Sequence, residues 1–135
     1  MKSDPTTELV TPGARKSYRL LSRIIECTMC LQEANPGTVR LKLRALRAVL
    51  SLLNGIGRRT FKGWTDYQQR FPENISESGL AYRSIYQIQN ICKDLNEVPP
   101  EYVDRISGRL QIVLSTLNAI GRSEWKEWKD YNGEF

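Results

Sequence analysis

Apolar residues in the first half of the chain recur at alternating intervals of three and four positions. Residues at this spacing share one face of an α-helix, so the pattern predicts two amphipathic helices. The first would run from about Ala14 to Glu33 and the second from about Thr38 to Leu53, with the Asn-Pro-Gly sequence at 35–37 separating them. The two predicted stripes are Leu21, Ile24, Thr28 and Leu31, then Leu43, Leu46, Leu50 and Leu53.

The same pattern returns in the second half of the chain. Its stripes are Ile85, Ile88, Cys92 and Leu95, then Val103, Ile106, Leu110, Val113 or Leu114, and Leu117. From position 18 to 67, 20 of 50 residues are identical to the residue 64 positions later, whereas chance would give about three. Self-similarity over this length predicts a tandem repeat of one structural unit.

A short aromatic segment completes each predicted unit. Gly57 and Gly121 stand where the second helix would end, and a glycine there is typical of a residue with positive φ. Thr38 is the predicted N-cap of the second helix, and a short third helix is expected after the glycine, capped by Thr60 or by Ser123. Short connections favour antiparallel neighbours, so each unit should be a hairpin of its two longer helices with the aromatic helix beside it.

One such unit would bury only a marginal core, so the two copies are expected to pack together. The predicted fold is all-α, a compact helical bundle of two tandem three-helix units related by a pseudo-twofold axis. Copy one would cover residues 14–70 and copy two residues 78–134, within a single helical domain at 14–135. Residues 1–13 are polar and are predicted to form a disordered tail.

Positive charge is concentrated in the first copy. Residues 1–70 contain 13 lysines and arginines against 5 acids, and residues 71–135 contain 7 against 10, which together make the net charge of +5. Arg40, Arg44 and Arg47 are spaced to line one helical face, and the residues 64 positions later are uncharged or acidic, so the fold does not require these charges. The predicted basic face, for a partner or for phosphate, consists of Arg15, Arg19, Arg23, Arg40, Arg44, Arg47, Arg58, Arg59 and Lys62.

An aromatic-basic motif, Gly-Arg-x-x-[Phe/Trp]-Lys-x-Trp-x-Asp-Tyr, occurs once in each copy. One interpretation is structural: the rings close the end of each hairpin, and Arg58 and Arg122 pair with Asp66 and Asp130. We favour it, because residues retained in both copies are demanded first by the shared fold. The other interpretation is a surface that anchors a partner through Trp64, Tyr67, Trp125, Trp128 and Tyr131.

The residue types of the chain give little support for catalysis or for metal binding. The chain has no histidine, the commonest general base, and no glycine-rich phosphate loop of the usual spacing. Cys27 and Cys30 form a CxxC late in a predicted helix, and Cys92 is the one other thiol, which is too few soft ligands for zinc. We therefore expect structural cysteines, no catalytic residue, no metal site, no cofactor and no small-molecule substrate.

The remaining sequence features concern location and partners. An odd number of cysteines, a polar N-terminus and the lack of a long apolar run predict a cytoplasmic or nuclear protein, neither secreted nor membrane-spanning. The predicted function is a non-enzymatic protein–protein interaction module, accessory or regulatory and cellular or viral, that acts through helical faces on another protein or on a second copy. The alternative is binding of an RNA or DNA backbone through the basic first copy, and an anionic membrane surface ranks third.

Overall fold

The computed structural model describes residues 12–67 and 76–132. Over these ranges the chain is all-helical and compact, with no strand, which confirms the predicted all-α class. Helix α1 begins two residues inside the predicted tail, and residues 1–11 of that tail lie outside the described residues. The helices are α1 (Pro12–Gln32), α2 (Pro36–Arg40), α3 (Leu43–Thr60), α4 (Glu77–Leu95), α5 (Pro100–Asp104) and α6 (Ser107–Glu124).

The predicted apolar stripes of both halves are buried in one continuous hydrophobic core, and Leu43 alone among them stays partly exposed. Thr28 is the one hydroxyl within these stripes. Its Oγ1 donates to the Ile25 carbonyl at 2.8 Å, which satisfies the hydroxyl inside its own helix. Within the described ranges, no helix combines the length and the hydropathy that a membrane crossing requires.

The main helix interfaces join one half of the chain to the other. Helix α1 packs most extensively on α6, and α3 packs most extensively on α4. Further interfaces join α1 to α4, α3 to α6, α1 to α5 and α2 to α4. The predicted hairpin, in which the two longer helices of one copy pack on each other, is therefore wrong. The chain turns twice between these helices, on either side of a short helix, and this directs α3 away from α1.

Two short helices, absent from the sequence prediction, begin at the prolines. Asn35 caps α2, because its Oδ1 accepts a hydrogen bond from the Gly37 N–H at 2.8 Å, and Pro36 occupies the first turn. Thr38, the predicted N-cap, lies inside α2 instead. Helix α5 also has a proline, Pro100, in its first turn, but no side chain caps it. The single second helix predicted from Thr38 is thus α2 followed by α3.

Both predicted helix-ending glycines lie within helices. Helix α3 continues past Gly57 to Thr60, and α6 continues past Gly121 to Glu124. In the part of the chain that the structure describes, no glycine has positive φ, so the predicted C-cap role is wrong. The helices end where the next residue, Phe61 or Trp125, becomes extended.

Two tyrosines tie the halves together reciprocally. The Tyr18 hydroxyl on α1 donates to the Val98 carbonyl after α4, and the Tyr82 hydroxyl on α4 donates to the Ala34 carbonyl after α1. Positions 18 and 82, and positions 34 and 98, are each 64 residues apart. In each half, a tyrosine of the first long helix therefore bonds a backbone carbonyl of the other half, just after the end of that half's first long helix.

Candidate functional site

An irregular aromatic segment follows each of the two long helices that end a half. Residues 61–67 follow α3 and residues 125–132 follow α6, and neither segment contains the short helix that the sequence predicted. In the first segment, the Phe61 and Trp64 rings stack with centroids 5.6 Å apart. In the second, the Trp125 and Trp128 rings stack at 5.2 Å. Each segment thus presents a pair of nearly parallel rings.

The inner tryptophan of each pair lies directly over a glycine. If Gly57 carried a Cβ atom, that atom would lie 2.5 Å from Cζ2 of Trp64, and the same distance separates Gly121 from Trp128. Both glycines are buried in helices, so the ring can touch the helix backbone only because the side chain is absent. Close approach of an indole ring, not backbone conformation, explains these glycines.

A buried asparagine holds each aromatic segment in place. Oδ1 of Asn54 accepts from Nε1 of Trp64 at 3.2 Å and from the Tyr67 N–H at 2.9 Å. Asn118 makes the equivalent bonds to Trp128 at 3.1 Å and to Tyr131 at 2.9 Å. Sequence reasoning missed both residues, although an identical asparagine at a buried helical phase in both copies was the available signal.

The predicted ion pairs of the repeated motif are present. Arg58 pairs with Asp66, and Arg122 pairs with Asp130. About half of each of these side chains is exposed, so each pair stabilises the fold by less than about 1 kcal/mol. Their main effect is to hold each aromatic segment alongside the helix before it.

The tyrosine of each segment reaches the first helix of the other half. The Tyr67 hydroxyl donates to the Asp94 carboxylate on α4, and the Tyr131 hydroxyl bonds Sγ of Cys30 on α1 at 2.7 Å. Burial and the bond to Asp94 raise the pKa of Tyr67. The bond to Cys30, together with burial, raises the pKa of Tyr131 to about 12. Positions 30 and 94 are 64 residues apart. The two tyrosines therefore make corresponding contacts with different groups, a thiol at position 30 and a carboxylate at position 94.

The aromatic segments border two open clefts at equivalent places. Cleft one has a volume of about 770 Å³ and lies between the Phe61–Tyr67 segment and the end of α4, where Asp94 and Glu97 line it. Cleft two has a volume of about 500 Å³ and is lined by Trp125, Glu127, Trp128, Lys129, Tyr131, Cys30 and Glu33. Glu33 and Glu97 are 64 positions apart. The five predicted aromatic anchors therefore all line these clefts, beside carboxylates that the sequence did not suggest.

The predicted basic face is divided among several elements. Arg40 lies on α2 and pairs with Glu77 at 3.0 Å, whereas Arg44 and Arg47 lie exposed on α3, so the predicted single helical face of these three is wrong. The break between α2 and α3 interrupts the spacing on which that prediction rested. Arg15, Arg19 and Arg23 do share α1, where Arg23 pairs with Glu26 at 2.9 Å.

The cysteines lie inside the helical core or at the rim of cleft two. Cys27 and Cys92 are buried, Cys30 is partly exposed, and all three are free thiols. Burial, with smaller effects of Cys30 and Asp130, raises the pKa of Cys27 to about 12, and burial also raises the pKa of Cys92. Within the described residues, no group of three or more potential ligands is close enough to hold a metal ion.

We expect iodoacetamide at pH 8 to alkylate Cys27 and Cys92 at least about 100-fold more slowly in the folded protein than in urea, because a thiol with a raised pKa holds almost no thiolate at that pH. Tandem mass spectrometry of the digested protein measures each site separately. Cys30 serves as the internal control, since it is partly exposed and should react in the folded state. Alkylation of Cys27 at the rate of Cys30 would contradict the buried placement.

The clefts are the places where the repeated motif meets solvent. Their inner walls are fixed by a glycine contact and by asparagine hydrogen bonds, and their outer ring, Phe61 or Trp125, stays partly exposed. No protein-family model matches the chain, and neither a curated protein nor a solved structure does.

Proposed function

We propose that this protein is a non-enzymatic interaction module of the cytoplasm or nucleus that binds basic peptide segments of other proteins in cleft one and cleft two. A single observation carries the proposal: stacked aromatic rings stand beside carboxylates in both clefts, 64 residues apart. A protein with two such clefts can engage two segments of one partner, which raises the overall affinity without any further contact.

The chemistry of the clefts favours a cationic side chain. Lysine and arginine are attracted to the faces of tryptophan and phenylalanine rings, and a nearby carboxylate adds an ion pair. Glu97 in cleft one and Glu33 in cleft two are exposed, and neither has an ion-pair partner within residues 12–67 and 76–132. Because the inner rings are already fixed, binding would order few side chains, and this lowers its entropic cost.

Binding of a nucleic-acid backbone by the basic residues of α1, α2 and α3 is less well supported. Arg23 and Arg40 already pair with carboxylates, and the arginines lie on three different helices. Each cation that already pairs with a carboxylate contributes less to neutralising a phosphate backbone. The aromatic clefts supply the more specific geometry.

We also infer that the two halves arose by tandem duplication and are related by an approximate twofold rotation. Twofold symmetry requires that if position i of one half meets position j of the other, the equivalents meet as well. The Tyr18–Val98 and Tyr82–Ala34 bonds have this relation, and so do the interfaces of α1 with α6 and of α4 with α3.

Selection from a random peptide library displayed on phage tests the proposed peptide binding. With the full chain immobilised, we expect enrichment of peptides that contain lysine or arginine next to apolar residues. The double variant Phe61→Ser and Trp125→Ser removes the outer rings but keeps the inner rings and both asparagines. It should bind the selected peptides at least about tenfold more weakly, in line with the loss of an aromatic anchor.

The matched control removes two exposed apolar side chains outside the clefts. Leu41 and Ile112 are 69% and 56% exposed, and the double change Leu41→Ser and Ile112→Ser should leave the affinity for peptides unchanged. Circular dichroism checks that both variants are folded. Equal binding by the outer-ring variant and the wild type, or enrichment of peptides without positive charge, would overturn the proposal.

A further inference from the structure

A third cavity, which we call the cation pocket, combines residues of both halves and shares Lys62 with cleft one. It has a volume of about 480 Å³ and opens between the end of α3 and the start of α6. Two buried isoleucines, Ile56 and Ile106, form part of its wall, and the exposed ring of Tyr102 stands beside it. Its charged residues are Arg58, Arg59, Lys62, Arg105 and Arg109.

The charges of the cation pocket are not balanced by the protein. Among the residues that the structure describes, no aspartate or glutamate lines it. Arg58 pairs with Asp66, but the other four cations have no ion-pair partner in the described part of the chain. Arg58, Arg59, Lys62 and Arg105 are exposed and Arg109 is half-buried, so solvent screens their mutual repulsion only in part. The clustered charges therefore carry a modest electrostatic cost.

The ends of the helices do not explain this arrangement. Arg58 and Arg59 lie in the last turn of α3, where the helix dipole favours positive charge. Arg109 lies in the first turn of α6, where the dipole disfavours positive charge, and Arg105 lies between the end of α5 and the start of α6, where the two helix ends have opposite effects. The helix dipoles therefore do not account for Arg105 and Arg109.

The repeated fold does not demand the cluster either. The residues equivalent to Arg105 and Arg109 in the first half are Leu41 and Ala45, and Ser123 is the equivalent of Arg59. The same backbone therefore exists in this protein without these three charges. Neither the fold nor the helix dipoles require these charges, and binding of an anionic ligand would explain them.

We propose that the cation pocket binds a compact ligand that carries two or more phosphate groups. Arginine side chains match phosphate oxygens with paired N–H donors, and the four cations without an ion-pair partner can neutralise several phosphate charges at once. The buried isoleucines and the Tyr102 ring would contact the part of the ligand without phosphate. The ligand could be free in solution or the headgroup of a phosphoinositide, since both present clustered phosphates on a small ring or chain. Cations gathered around one cavity of this size suit such a ligand better than they suit a long nucleic-acid strand.

Isothermal titration with inorganic tripolyphosphate and inositol hexakisphosphate tests the proposal on the full chain. The double variant Arg105→Leu and Arg109→Ala introduces the residues that the first half carries at the equivalent positions. We expect it to bind both probes at least about tenfold more weakly than the wild type, because two charged contacts are lost. Its melting temperature without ligand should be equal or higher, because repulsion is relieved.

The charge-matched control is the double change Arg44→Gln and Arg47→Gln, which removes two exposed arginines outside the pocket. It should bind within about threefold of the wild type, since distant surface charges are screened by salt. Tripolyphosphate should raise the melting temperature of the wild type and of this control, and not that of the pocket variant. Equal weakening in the two double variants would overturn the proposal, as would the absence of any binding.

Two further probes distinguish the sources of the phosphate. Co-sedimentation with vesicles that contain a phosphoinositide, lost in the pocket variant, would assign the headgroup, whereas binding of the soluble probes alone would assign a free ligand. A single-stranded RNA with hydroxyl ends is the macromolecular comparison. If it displaces tripolyphosphate and is weakened equally by both double variants, the cations form a general nucleic-acid surface and the proposal fails. The outer-ring variant should keep full binding, which separates this site from the peptide clefts.

Discussion

Replacing Gly57 with alanine is expected to lower the free energy of unfolding by about 2–4 kcal/mol, although alanine is normally the better helix former. The new methyl group would overlap the indole ring of Trp64, which is 2.5 Å from the Cβ position at its Cζ2 atom. The ring would have to leave the helix backbone, and the bond from its Nε1 to Asn54 would be lost with it. Urea unfolding followed by circular dichroism measures the change.

The same substitution two residues earlier is the control. At Gly55 a Cβ atom would meet no atom closer than 3.9 Å, the end of the Arg58 side chain. Gly55→Ala should therefore stabilise the helix by about 0.5–1 kcal/mol, and the second half already has Ala119 at the equivalent position. If the two alanine substitutions had the same effect, the contact between glycine and tryptophan would not be important for stability.

A fragment that contains one half of the chain is expected not to fold as a monomer. In residues 12–67 alone, α1 would lack α6 and α3 would lack α4, which are their main packing partners. Both apolar stripes would face water, at a cost of roughly 25 cal/mol for each Å² exposed. Circular dichroism at micromolar concentration should show little helix and no cooperative thermal transition.

Mixing the two fragments, 12–67 and 76–132, supplies the control for this experiment. The mixture should gain helix above the sum of its parts, because the missing interfaces are restored without a covalent link. A fragment that forms a homodimer would also agree with the inferred twofold relation. The apolar stripes of its second copy would then take the place of the equivalent stripes of the missing half. A half-chain that unfolds cooperatively as a monomer would show that the packing between halves is not required.

The helices and their buried faces could be predicted because their signal is local. Leu46, Leu50 and Leu53 recur at helical spacing, and the hydrophobic effect buries such a stripe whatever it packs against. The partner of a stripe has no local signal. The packing of α1 on α6 depends on two changes of chain direction around α2. The spacing of apolar residues does not indicate these changes.

The glycines show why a correct observation led to a wrong prediction. A glycine near the end of a helical pattern commonly ends the helix, and Gly57 satisfied that description. Its neighbour in space is Trp64, in a segment without regular structure, so periodicity could not reveal the contact. The joint retention of Asn54, Gly57 and Trp64 in both copies was the only sequence signal that these residues act together.

Net charge was a poor guide to the cation pocket. The second half is negative as a whole, and this directed attention to the first half and away from Arg105 and Arg109. The pocket brings these two arginines to the end of α3, where they join residues that the sequence did identify. A binding site that combines residues of both halves is not visible in the net charge of either half.

The packing of α1 on α6 also sets the order of events during synthesis of the chain. From the last residue of α1, Gln32, to the last residue of α6, Glu124, the ribosome adds 92 residues (124 minus 32), at roughly 5–20 residues per second. Helix α1 therefore waits on the order of 5–20 s for its main partner. During that interval its apolar stripe is available to chaperones, and the native core can close only after α6 has been made.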